Sequence, residues 1–159
     1  MTEDTGEKNL PSGYRSVEKV SQKHKLSGLD WLRDGVGVSL SMVTLDTGQK
    51  YLLGSAVAHN HGIKELADKL QPNESESART TFYAKVGEFI NNGGCCRGVN
   101  QINSPRTQGA TVFYAKSRTD MRTYFIWDGR SNDGVPIIIR VGVCRKSQQP
   151  KLMGIISKY

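Results

Sequence analysis

The sequence predicts an α+β fold: a β-hairpin, two helices, and then a twisted antiparallel β-meander packed against the helices. Three observations carry this. Strand-type alternation of apolar and small residues fills the stretches around 36–58 and 110–146. Helical spacing of apolar residues is confined to the segment between them. Turn residues punctuate the C-terminal block at short intervals. Elements that come in runs, without regular β–α alternation, place helices on one face of an antiparallel sheet. A chain of 159 residues favours one domain.

The elements follow in order. Residues 1–26 are polar and rich in charge, Gly and Ser, and read as a flexible N-terminal arm. Residues 27–159 then form a single α+β domain with a basic C-terminal sheet. Ser27 caps a short helix that Gly35 ends. Val36, Val38, Leu40 and Met42 alternate with Gly37, Ser39 and Ser41, as a strand with one buried face requires. "DTGQ" turns the chain into a second strand, "KYLLGSAVA", completing a hairpin. Ile63, Leu66, Ala67 and Leu70 have helical spacing, and Pro72 stops that helix. Ala78, Phe82, Val86 and Phe89 or Ile90 define a second helix, with Glu74 and Glu76 in the first turn, where the helix dipole favours acids. A long loop covers 93–109. "ATVFYAKS", "RTYFIWDG" and "VPIIIRVGVCRK" make the meander, and "LMGIIS" reads as a closing strand.

Charge is unevenly spread. Residues 1–92 carry 11 Lys plus Arg against 12 Asp plus Glu, whereas 93–159 carry 11 against 3. A basic field of this kind attracts polyanions, nucleic acid first and an acidic protein second. The three cysteines, Cys95, Cys96 and Cys144, are odd in number and two are adjacent, so they are no disulfide framework, and a reducing cytoplasm is expected. The first 16 residues have no apolar core, so no signal peptide is expected. No apolar run reaches the roughly 20 residues that span a bilayer.

Familiar catalytic templates are missing: the chain has no GxSxG, HExxH, P-loop or GxGxxG. No cofactor or metal is expected. His59 and His61 stand two apart, as candidates for acid–base work or as residues of a helix-capping loop. What recurs is a cation on each meander strand. Lys116 and Arg118 end the first, Arg122 opens the second, Arg140 lies within the third, and Arg145 with Lys146 end it. In an up-and-down meander these ends lie side by side, so four to six cations are expected to converge at one edge. Ile137, Ile139, Val141 and Val143 are expected on one face of the third strand, and Ile138, Arg140, Gly142 and Cys144 on the other. Arginine forks suit phosphate oxygens. Tyr83, Tyr114, Tyr124 and Trp127 are candidate stacking surfaces for unpaired bases. Arg97 and Arg106, in the long loop, join the candidate nucleic-acid contacts.

The segments "FYAKSR", "MRTYFIWDG" and "VPIIIRVGVCRK" give the stretch 63–146 a resemblance to the RelE/ParE toxin superfamily and the barnase- and colicin-type ribonuclease fold. The resemblance implies a metal-independent endoribonuclease toxin in which Lys116, Arg122 and Arg145 are catalytic and Arg118 and Lys146 bind RNA. Arg140 and Tyr124 are added to the RNA contacts. It also implies ribosome-associated mRNA or tRNA as substrate and an acidic antitoxin or immunity protein as partner. The general base is left between His59 or His61 and Lys116. The alternatives are a non-enzymatic nucleic-acid-binding regulatory protein and an interaction domain for an acidic protein.

Overall fold

The structure, a computed structural model, describes residues 10–20, 36–58, 70, 72–102, 111–128 and 135–156. Its centre is the run "IIIRV". Ile137, Ile138 and Ile139 are all fully buried, which requires a strand covered on both faces. That strand, β7 (Ile137–Arg145), pairs in parallel with β3 (Lys50–Ala58), Leu52 opposite Ile137 and Ser55 opposite Arg140. The remaining strands extend the sheet on either side. β2 (Val36–Leu45) pairs with β3 through the hairpin turn Asp46–Gln49, and β1 (Tyr14–Lys19) pairs with β2. Beyond β7 lie β6 (Met121–Asp128), β5 (Val112–Lys116) and β4 (Val99–Ile102), all antiparallel to their neighbours. The result is one seven-stranded mixed sheet in the order β1-β2-β3-β7-β6-β5-β4.

Two helices of the described residues cover opposite faces. Helix α1 (Pro72–Asn91) lays Phe82, Val86, Phe89 and Ile90 against Tyr51, Leu53, Phe125 and Ile138. Phe82, Phe89, Phe113 and Phe125 meet there mostly edge to face, the geometry that aromatic quadrupoles favour. Helix α2 (Gln149–Ile156) follows a single 3-10 turn (Lys146–Gln148) and sets Leu152 and Met153 against Leu52, Ile137, Ile139 and Val141. Its seat is Gly142: a Cβ there would stand 2.7 Å from Leu152 Cδ1. None of the described helices is long and apolar enough to cross a membrane.

This corrects the expected hairpin–two-helix–meander arrangement. The hairpin and the meander are not separate units, because the parallel β3–β7 pairing fuses them into one mixed sheet. The described helices flank that sheet on both faces, whereas the sequence reading put its two helices, near 63–70 and 74–92, on one. The expected closing strand "LMGIIS" lies largely in α2, since Leu152 and Met153 are neighbours buried on the same side, which a strand forbids. The expected flexible arm contains β1, anchored where Tyr14 bonds the Tyr51 hydroxyl at 2.7 Å and donates to the Tyr83 carbonyl at 2.7 Å. The expected long loop contains β4. The helices expected near 27–35 and 63–70 fall almost wholly outside the described residues.

A bulge in β7 decides where its side chains go. Phe125 stands opposite Arg140 and Tyr124 opposite Gly142, so Val141 has no partner on β6. The extra residue flips the alternation. Val141 and Cys144 both join the α2-side core, while Val143 packs with Ala78 of α1 and Met121. The sequence expectation that put Val141 and Val143 on one face fails here.

Gly142→Ala is expected to lower stability by about 1–3 kcal/mol through overpacking against Leu152. Urea unfolding checks this: the cost of Gly142→Ala should shrink when measured in a Leu152→Ala background, where the added methyl has room.

Candidate nucleic-acid interface

The register brings the expected cations to one end of the sheet. Lys116 is directly opposite Arg122, Arg122 is opposite Cys144, and Met121 is opposite Arg145. The β5–β6 connection is tight because Ser117 closes it: its N–H donates to the Met121 carbonyl at 2.7 Å, and its Oγ accepts the Met121 N–H at 3.2 Å. Arg118 is exposed in that turn, and Lys146 is exposed just past the end of β7. The start of β4, Val99, lies opposite Ala115, so exposed Arg97 precedes β4 at this same end. Arg106, His59 and His61 lie outside the described residues.

The convergence does not make one catalytic cluster. Arg122 points to the α2 face, where its Nη1 donates to Gln149 Oε1 at 2.9 Å. Arg145 points to the α1 face, where it ion-pairs with Glu74 in the first turn of α1. The β7 bulge sets this opposition: without Val141's extra place, unbroken alternation would put Arg145 on the α2 face with Arg122. Arg140 is also on the α1 side, its guanidinium 5.1 Å from the centre of the Phe82 ring. The expected catalytic trio of Arg122, Arg145 and Lys116 is thus divided by the sheet, and Arg140 stands apart from Arg122.

Arg122 is the most constrained of these residues. It is 9% exposed, and its guanidinium lies 4.2 Å from the centre of the Tyr114 ring. Tyr124 donates to the same Gln149 oxygen at 2.9 Å, so one amide holds two buried groups. Arg122 Nε is buried without an acceptor, and no carboxylate of the described residues pairs with this arginine. A guanidinium held in this way is stabilised by a ring face and an amide dipole rather than by an opposite charge. Lys116, in contrast, lies 3.4 Å from Asp120 with both side chains more than half exposed, a pair that contributes little to stability.

The aromatic expectations divide similarly. Tyr124 is fully buried and offers no stacking face, and burial pushes its phenol well above the ordinary range. Tyr114 is half-buried, and Arg122 already occupies one of its faces. Trp127 and Tyr83 are half-buried, Trp127 among Phe89 and Phe113. Burial raises the Cys144 thiol from 9.0 to about 11, against the opposing pull of Tyr124 and of the Arg122 charge. Cys96 donates to Glu88 Oε2 at 2.9 Å and is inert packing next to exposed Cys95.

Two residues of this region escaped sequence reasoning. Gln149 sits in a polar stretch between two expected strands, and nothing in its neighbours signals a buried acceptor. Glu74 was legible as a helix-start acid but not as the partner of Arg145. Among the described residues no group of three or more His, Cys, Asp or Glu is placed to hold a metal ion. No family model, curated protein or solved structure matches the chain.

Gln149→Leu is expected to lower stability by about 2–3 kcal/mol, because Arg122 and Tyr124 lose their shared acceptor while staying buried. The double variant Arg122→Met/Gln149→Leu should cost less than the two single changes added, as measured by urea denaturation. Stability should also depend on alkaline pH. The folded chain keeps the Cys144 proton up to about 11, whereas an ordinary thiol releases it near 9.0. The contribution is complete below pH 9 and is lost as pH rises toward 11. The decline in unfolding midpoint over that window should be shallower in Cys144→Ala.

Proposed function

We propose that this protein binds RNA along the strand-end rim formed by Arg97, Lys116, Arg118, Arg145 and Lys146, with Arg122 buried behind it. The observation that supports this reading most is the register, which sets cations from four consecutive strands or their turns at one sheet end. A spread row of exposed Lys and Arg follows a phosphate backbone, and its affinity comes from counterion release. RNA, in preference to DNA, rests on the resemblance of "FYAKSR", "MRTYFIWDG" and "VPIIIRVGVCRK" to ribonuclease toxins. Binding without cleavage is favoured over the ribonuclease reading. Arg122 and Arg145 face opposite sides, so they do not converge on one phosphate. The two carboxylates at this end, Asp120 and Glu74, are each engaged by a cation. A cytoplasmic location is part of the proposal and accords with three free thiols.

An acidic protein partner, of the antitoxin or immunity type, is the second reading. It is favoured by the same two ion pairs, which show that these cations already take carboxylates. The test is retention of a single-stranded RNA in the presence of a chelator, followed across salt concentration. Full-length RNA should be retained with a steep salt dependence, and Arg118→Ala and Lys146→Ala should each lower the slope by about 1. RNA shortened in a way that Arg122→Met abolishes would restore the ribonuclease reading. No retention of RNA at physiological salt would leave the acidic partner.

A further inference from the structure

The opposite face of the sheet carries a second pair of arginines that the rim does not use. Arg79, on α1, and Arg140, on β7, each lie over a neighbouring aromatic ring of α1. The Arg79 guanidinium is 5.1 Å from the centre of Tyr83, and that of Arg140 is 5.1 Å from the centre of Phe82. The Phe82 and Tyr83 rings are 5.5 Å apart, centre to centre, so both guanidiniums lie over adjacent rings, and the Arg79 charge acts on Arg140. Arg140 is half-buried on the α1 side of β7, against Phe82 of the helix. Burial lowers its hold on the proton, and the nearby positive charge of Arg79 lowers it further. A guanidinium nevertheless stays charged. The groups facing Arg140 are the phenols of Tyr83 and Tyr51 and the Arg79 charge. Tyr51 is itself bonded to Tyr14. Neither arginine has a carboxylate partner among the described residues.

Two like charges thus flank the edge of an apolar seam without a counter-ion among the described residues. Nothing in the packing of Phe82 or Ile138 requires cations there. Arg79 also opens on a cleft of about 290 Å³ between Leu10–Ser12 and α1, lined by Ser12, Thr80 and Tyr83. Glu76 lines the same cleft but forms an ion pair with neither arginine. The cleft gives an incoming group room beside Arg79.

We propose that Arg79 and Arg140 bind a phosphate-type oxyanion at the seam of α1 and β7, a site separate from the RNA rim and on the opposite face from Arg122. Two guanidiniums match the paired oxygens of a tetrahedral oxyanion, and the Tyr83 hydroxyl supplies a further donor. The shared chemistry is the phosphate group, free or at the end of a nucleotide.

The experiment uses the full chain and follows its thermal midpoint in sodium phosphate against sodium chloride at equal ionic strength. Phosphate should raise the midpoint by about 2–4 °C over chloride. The exposed position of Arg79 makes Arg79→Gln a variant that folds, and it should lose this shift. Lys116→Ala, at the rim, should keep it. Adenosine 5′-monophosphate and adenosine separate the sources: a larger shift with the monophosphate than with inorganic phosphate marks a nucleotide, a smaller one marks free phosphate, and adenosine alone should give none. Equal midpoints in phosphate and chloride would overturn the proposal. So would a full phosphate shift in Arg79→Gln.

Discussion

The parallel contact between β3 and β7 holds the rest of the structure in place. It joins an N-terminal hairpin to a C-terminal meander and buries Ile137, Ile138 and Ile139 from both sides. Once β7 is central, each face needs its own cover, and α1 and α2 supply it. The sheet ends that carry cations then lie at a fixed rim, because every strand from β4 to β7 is locked in register. A buried strand of this type contributes on the order of 1.5–3 kcal/mol for each large aliphatic side chain removed from water. The rim cations therefore sit on a rigid support.

The second constraint is the bulge at Val141. One unpaired residue moves Arg145 to the α1 face and leaves Arg140 on that face too, while Arg122 remains on the other. The same local irregularity lets Gly142 receive Leu152, so it also seats α2. Packing and charge placement have a common cause here. The cations line an edge, not one concave pocket, an arrangement that suits the proposed binding along a backbone better than in-line chemistry on one phosphate.

Much of the local structure was legible. Alternation from Val36 to Met42 and the "DTGQ" turn gave the hairpin, and Ala78, Phe82, Val86 and Phe89 gave α1. Convergence of Lys116, Arg118, Arg122, Arg145 and Lys146 followed from strand lengths and a tight turn alone. What stayed hidden depends on long-range pairing. No local pattern in "KYLLGSAVA" marks β7 as its parallel neighbour. β1 was obscured because an irregularity between Tyr14 and Ser16 breaks its alternation. "LMGIIS" has the composition of a strand, but packing of Leu152 over Gly142 and of Leu152 with Met153 in one core goes with a helix. The bulge at "RVGV" is what the alternation rule misses, so Val143 falls on the face opposite Val141, and Cys144 on the face opposite Arg140.

The proposed RNA site lies at one sheet end and lacks a catalytic cluster among the described residues. Backbone amide hydrogen exchange with and without a single-stranded RNA tests it most directly. Added protection is expected at Arg97–Gly98, Ser117–Asp120 and Lys146–Gln149, with β1 and β2 unchanged and the RNA recovered intact. Protection concentrated on β1 and β2, with those three segments unaffected, would rule out binding at this rim.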